Sequence, residues 1–304
     1  MRVLLVNNFV RHGSGVDRMV RLEQAFLAAH GHDVDLVHNT VPLVTGAIYD
    51  ALRHTRALVV AHLHDYRAIC PVAYAFRNDD GCDLCTRSLF LGCTVYRCYR
   101  HSILQSAGLT TARLIDAAKG RRFGASPHAY AACSRHVKDE HVARGLPAAR
   151  IAVVHNGVAD PDPKGVRRGR VAEVKRKLIF VGSLRKAKGV HCLPALAAAL
   201  PEFEIHLVGA GPESPRLREA KLRSRLGNLV LHGFADGQAK LDLWADSLLT
   251  IVPSLWAEPC CLVSLESYAL GVPVAATAAG GNPELVDDGR TGLIADFFDT
   301  TATA

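Results

Sequence analysis

Glu258-Pro-Cys-Cys-Leu-Val-Ser-Leu-Glu266, followed by Ser267-Tyr-Ala-Leu-Gly-Val-Pro-Val274, is the stretch on which the reading of this chain turns. It reads as a loop, a helix, a glycine turn and a new strand. Eight residues along one continuous helix rotate about 800°, which leaves the two carboxylates roughly 80° apart. They converge better if Glu258 stays in the loop and Glu266 lies about a turn and a half into the helix. Pro259 suits the first turn of such a helix. The amides of Cys260, Cys261 and Leu262 then become donors at a positive helix end, a ready diphosphate site. On that reading Glu266 accepts from ribose hydroxyls and Glu258 reaches a sugar. Taken alone, the pattern is also what a surface helix with two glutamates would give.

Working outward, apolar runs alternate with amphipathic stretches in both halves of the chain. In the first half strands are expected at Val3–Val6, Asp33–Val37, Ala57–Leu63, Tyr130–Cys133 and Ile151–Val154, with helices near Val16–His30, Ile103–Arg121 and Ser134–Arg144. In the second half strands are expected at Leu178–Val181, Glu204–Val208, Leu229–Leu231, Leu248–Val252, Pro273–Ala276 and Gly292–Ala295. Short apolar strands separated by helices imply parallel sheets covered on both faces. Pro161, Pro163 and Gly165 mark a hinge. The expected fold class is therefore α/β, with two doubly wound domains and ligands beyond the carboxyl ends of the strands. The domains would be an N-terminal one over 1–160 and a C-terminal one over 178–304, joined by a linker over 161–177.

The chain has 304 residues and is 49% hydrophobic and 21% charged, enough apolar content to bury two cores and to exclude a disordered chain. Mean hydropathy is +0.11, and no run approaches the 18 apolar residues of a membrane-spanning helix. The N-terminus turns polar after six residues, too early for a signal-peptide core, so a soluble cytoplasmic protein is expected. The formal charge is +7. Lys164, Arg167, Arg168, Arg170, Lys175, Arg176 and Lys177 against Glu173 supply most of it. Bunched cations with no aromatic among them point away from nucleic acid. A solvated linker and a peripheral contact with an anionic membrane surface remain the two readings.

The order Glu258…Glu266, Gly271-Val-Pro-Val, Gly280-Gly281…Glu284 and Asp288-Gly-Arg-Thr-Gly292 resembles the C-terminal domain of the retaining glycosyltransferases of family 4. Phe180-Val-Gly-Ser-Leu-Arg-Lys-Ala-Lys-Gly189 is similar to that family's strand-loop with its Lys-Gly, and Leu207-Val-Gly-Ala-Gly-Pro212 to its Gly-x-Gly-Pro turn. Ala132-Cys-Ser-Arg-His-Val and Val154-His-Asn-Gly-Val158 resemble the segments that end the N-terminal domain. The resemblance implies a GT-B fold: two Rossmann-like domains facing across a cleft, with an acceptor-binding first domain and a nucleotide-sugar-binding second one. It also implies transfer of a sugar from a nucleoside diphosphate sugar to a glycan or lipid-linked acceptor hydroxyl, with no metal required.

By the same resemblance, Lys188 neutralises the donor diphosphate, Glu258 faces the donor sugar and Glu266 the ribose. Cys260 and Cys261 stand where the family has small residues, often glycine. Ser183 replaces the Arg that usually follows the first Gly of the strand-loop, leaving Arg185, two positions on, as the cation to reach in its place. Ala61-His-Leu-His-Asp65 resembles the His-x-His segment whose histidine lies near the reacting sugar, with His64 as the match and His62 as the alternative. Gly13-Ser-Gly15 resembles the Gly-rich loop facing the diphosphate, which makes Gly15 a donor-side residue; a plain turn explains it as well.

Five of the nine cysteines fall between Cys70 and Cys98. Cys82-x2-Cys85-x7-Cys93-x4-Cys98 can be drawn as a four-thiolate structural zinc site; free structural thiols and redox use are the other readings. Some family 4 enzymes carry a similar insert, with Cys70-Pro71 and Cys98-Tyr-Arg-His-Ser102 as matching pieces, on the acceptor side. The chain stops just after the last expected strand, so a truncated C-terminal end and a looser domain pair are expected. Two further classes of function stay open: a nucleotide-sugar-binding relic without turnover, and a zinc-dependent interaction module.

Overall fold

The computed structural model describes residues 2–7, 15–38, 59–78, 80–118, 128–160, 176–244 and 246–299. The chain divides into two compact units, Met1–Arg77 with Gly81–Gly157, and Asn78–Asp80 with Val158–Ala304. Gly13, residues 161–175 of the basic segment and residues 300–304 lie outside the described residues.

In the first unit, β1 (Arg2–Asn7) pairs in parallel with β2 (Asp33–His38) across helix α1 (Gly15–Ala29). A second parallel sheet has the order β3–β6–β7, from Val60–Leu63, Ala129–Ala132 and Ile151–Val153. Between β3 and β6 lie the two-residue strands β4 (Phe76–Arg77) and β5 (Asp80–Gly81), then the short helices α2 (Leu84–Arg87) and α3 (Leu91–Val95) and the long α4 (Ile103–Ala118). Helix α5 (Arg135–Ala143) starts where the Ser134 hydroxyl accepts from the Val137 amide at 3.1 Å, an N-cap.

The second unit is one six-stranded parallel sheet in the order β10–β9–β8–β11–β12–β13. Its strands are β8 (Lys177–Val181), β9 (Glu204–Val208), β10 (Leu229–Gly233), β11 (Leu249–Val252), β12 (Val274–Ala276) and β13 (Gly292–Ile294). Helices α6 (Leu193–Ala199), α7 (Ser214–Arg223), α8 (Gly237–Trp244), α9 (Leu262–Ala269) and α10 (Asn282–Leu285) connect them. The run of apolar residues in β8 is explained by burial on both faces. Leu178 and Phe180 pack with Leu193, Leu207 and Phe297 on one side, and Ile179 packs with Trp244, Leu270 and Val272 on the other.

One sequence boundary moves. Lys177, read as the end of the basic linker, is the first residue of β8 and is buried. Its ammonium donates to the Leu243 carbonyl at 2.7 Å and pairs with Asp246. A buried cation survives only with such partners, so this lysine is fixed within the fold and is not part of a solvated run.

Candidate functional site

Strand order decides where the site forms in the second unit. After β8 the chain moves to β9 on one side, and returns to place β11 on the other side of β8. The loops at the carboxyl ends of β8 and β11 therefore diverge, and the gap at such a switch point receives ligands in open parallel sheets. The loop after β8 carries Ser183, Arg185 and the 3-10 turn Lys186–Lys188, and the loop after β11 runs from Pro253 to Cys261.

These loops are joined backbone to backbone. The Ala187 carbonyl accepts from the amides of Leu255 and Trp256 at 3.0 and 3.2 Å. Gly189 then turns the chain at φ 72°, and a Cβ there would lie 1.6 Å from the Pro253 oxygen, so only glycine allows the approach. The junction brings the Lys188 ammonium to 2.6 Å from Glu258 Oε1 and 5.1 Å from the centre of the Trp256 ring. Glu258 is 3% exposed, and the Ser254 hydroxyl donates to the same oxygen. Its backbone is held as well: its carbonyl accepts from the Gly281 amide at 2.7 Å, and Gly280 has no room for a Cβ against it. The Thr277 hydroxyl, just past β12, donates to the Ser254 carbonyl at 2.6 Å. A buried carboxylate is tolerated because an ammonium and a hydroxyl satisfy it.

Helix α9 begins at Leu262 with Cys261 as N-cap, so Pro259 lies in the loop three residues earlier and not in the first turn, as its sequence position suggested. The helix-end amides consequently shift along the chain, to Leu262 and Val263, while the Ser264 amide turns back to the Cys261 carbonyl at 3.0 Å. Burial pushes the Cys261 thiol pKa up; the Glu258 charge adds to this and Lys188 opposes it, which puts both charged groups near the helix start. Glu266 is the fifth residue of α9. Its Oε2 accepts from the buried Lys240 ammonium of α8 at 2.7 Å. Arg185 is exposed and donates from Nε to the Ser183 hydroxyl at 3.2 Å, so the cation two positions on does turn back toward the serine. Cys260 is half-buried.

In the first unit, Gly15 is the first residue of α1. His62 lies in β3 and His64 just beyond its carboxyl end. Their rings stack with centres 5.2 Å apart, and His62 Nδ1 is 3.2 Å from Glu23 Oε1 on α1. Burial, and then the His62 charge, lowers the His64 pKa to about 4, so its ring is neutral near pH 7. Neither of its ring nitrogens makes a hydrogen bond, although the Asn156 side chain approaches.

Three cysteines of the insert pack around one aromatic ring. Cys85 and Cys93 are buried against Phe90, with Val72 and Cys98 packed on them. Cys70 raises the pKa of Cys85, Cys93 and Cys98, and Cys82 raises those of Cys70 and Cys98, so the five thiols lie in one neighbourhood. Burial pushes the Cys93 thiol up to about 12, which keeps it protonated. Among the described residues, the group of three whose ligand atoms lie within 4.8 Å of one another is Glu23, His62 and His64, and the zinc quartet drawn from spacing is not gathered that closely.

Residues 175–304 match the family model described as Glycosyl transferases group 1. The group 1 region carries Lys188, Glu258, Glu266 and the glycines around them. Curated relatives include the alpha-maltose-1-phosphate synthase of Mycolicibacterium smegmatis, 29% identical over 55% of this chain and 48% of its own. The GDP-mannose-dependent alpha-mannosyltransferase of Corynebacterium glutamicum is 30% identical over 54% of this chain and 37% of its own. The chain spans about half or less of the length of these relatives. Among solved structures, Anabaena Alr3699/HepE in complex with UDP aligns with a TM-score of 0.63 at 19% identity, over 97% of this chain and 85% of that one. Sucrose-phosphate synthase from Thermosynechococcus elongatus aligns at 0.67 and 17% identity, over 99% and 87%. The fold of the chain is that of these GT-B glycosyltransferases. No helix among the described residues is long and apolar enough to cross a membrane.

Lys240, Ser254, Trp256 and Thr277 are site residues that sequence reasoning missed. Ser254 and Thr277 each stand one or two residues past the end of a central strand, which is the signal that could have found them.

Proposed function

We propose that the chain is a retaining glycosyltransferase that moves a sugar from a nucleoside diphosphate sugar to an acceptor hydroxyl. The observation that carries this reading is the Lys188–Glu258 pair at the β8–β11 switch point, beside the start of α9. The diphosphate would lie against the first amides of α9 and take the Lys188 ammonium from Glu258. Lys188 would then stabilise the charge that grows on the leaving phosphate as the bond between it and the anomeric carbon breaks. Glu258, released from the ammonium, would accept from hydroxyls of the donor sugar, and Glu266, held by Lys240, from the ribose. The acceptor oxygen would bond to the anomeric carbon on the face the phosphate leaves, passing its proton to the leaving phosphate oxygen. No metal is needed for that step.

The relative named for GDP-mannose and the neighbour bound to UDP support a nucleoside diphosphate sugar as donor. The acceptor would be a glycan or a lipid-linked sugar, met at the face of an anionic membrane. The test is to incubate the full chain with a panel of UDP- and GDP-sugars plus EDTA and to measure nucleotide release and the anomeric configuration of the product. Release that survives chelation, with configuration retained, is expected. A second reading, a donor-binding relic, is favoured by Ser183 and predicts donor-induced stabilisation without nucleotide release. Neither stabilisation nor release with any donor would overturn both.

A further inference from the structure

We infer that Glu23, His62 and His64 form a binding site for a divalent transition metal, with zinc as the best match in donor chemistry. The three side chains come from two elements of the first unit that fix them independently: Glu23 from the middle of α1, His62 and His64 from the carboxyl end of β3. Residues two apart on a strand point to the same side, so the His-x-His spacing itself brings both imidazoles to one face. Their ring centres are 5.2 Å apart. One ligand atom from each of the three residues lies within 4.8 Å of the other two. Donors on a tetrahedral zinc ion with bonds of about 2.0–2.1 Å are about 3.3 Å apart, and Glu23 Oε1 stands 3.2 Å from His62 Nδ1.

A simple Glu–His ion pair accounts for Glu23 and His62 but not for His64. Both nitrogens of that ring are buried and neither makes a hydrogen bond of good geometry, the Asn156 side chain standing close by, which is a costly arrangement for an imidazole. A metal ion on one nitrogen removes that cost, and three protein ligands of the His2Glu kind leave a fourth position open to water or an anion. All three ligands belong to the first unit, so the assignment stands or falls on its own test, whatever becomes of the transfer reaction proposed above.

Cobalt(II) titration of the full-length, reduced protein tests the assignment, because Co2+ reports its ligands by absorption. The expected result is one equivalent of Co2+ with visible d–d bands and no thiolate charge-transfer band, displaced by Zn2+. Changing the shell around a metal ligand alone costs roughly 10–100-fold in affinity, so E23Q and H62N are each expected to weaken this equivalent at least tenfold. Cys85→Ser and Cys93→Ser should leave it unchanged. Far-ultraviolet circular dichroism of metal-free E23Q and H62N separates ligand loss from misfolding, and the second variant keeps the test open if the first does not fold. Unchanged affinity in the folded variants, or a thiolate band on every bound cobalt, overturns the proposal.

Discussion

Lys188 donates to a carboxylate that is itself buried, and each partner offsets part of the other's loss of water. Lys188→Ala is expected to lower transfer by roughly 10²–10³-fold, the cost of losing one electrostatic contact to a developing charge, read as initial rates of nucleotide release. Glu258→Gln should separate binding from chemistry. With its competitor removed, the ammonium should hold UDP or GDP more tightly, while transfer falls; calorimetry and rates on one variant check both. Weaker nucleotide binding in that variant would argue against the ammonium as the diphosphate contact. At Gly189 the relevant change is a methyl group. Gly189→Ala meets the Pro253 oxygen and carries an unfavourable φ, and is expected to cost about 2–4 kcal/mol in chemical unfolding. At this scale the sequence was informative where strand-end loops carry charged residues, as at Lys188 and Glu258, which the structure brings within 2.6 Å of each other. It was silent where partners lie far apart in the chain. Nothing near Glu266 points to Lys240, 26 residues earlier, because their meeting depends on how α8 and α9 flank β11.

Helix α9 is held to its neighbours by a chain of hydroxyls. The Trp244 indole donates to the Thr250 hydroxyl at 2.9 Å, and the Ser267 hydroxyl donates to the Val272 carbonyl at 2.8 Å. Ser267 has spent its proton there, so Thr250 must be the donor in the 2.7 Å contact between the two hydroxyls. The chain runs through α8, β11, α9 and the turn into β12, and so sets where both Lys240 and Glu266 stand. Thr250→Val keeps the shape but leaves the buried indole without an acceptor and removes the donor to the Ser267 hydroxyl, and should cost about 1–3 kcal/mol in thermal or urea unfolding. Most elements were legible because alternation of buried strands and amphipathic helices is a strong signal; strand β9 spans Glu204–Val208 as the pattern suggests. The Cys-rich segment was not. Ala73, Ala75, Leu89, Phe90, Arg97 and Arg100 all adopt positive φ there. Nothing in side-chain type announces such turns, because they are imposed by packing around Phe90, Cys85 and Cys93.

Across the whole molecule, imidazoles whose pKa the fold lowers tie stability to pH in both units. His141 in α5 is fully buried, with Nδ1 2.7 Å from the Val137 carbonyl, and burial lowers its pKa. His206 and His232 face each other across β9 and β10 at 3.0 Å, and burial lowers both of theirs, with His206 adding to the shift at His232. A histidine whose folded pKa lies below its unfolded value of about 6.5 binds fewer protons when folded. Its contribution is complete above that pH and is lost as pH falls through the window below it. Stability is therefore expected to drop below about pH 6.5, and His141→Gln should flatten part of that slope in urea titrations. A slope unchanged by that substitution would assign the acid sensitivity elsewhere. The shared carbonyl of Ala187, which clasps the amides of Leu255 and Trp256, has a bearing on engineering. Residues 182–189 and 253–261 behave as a single cassette, so a chimera that imports either loop alone from a relative inherits a mismatched seam. Altered sugar-nucleotide preference should be transplantable only when both loops travel together.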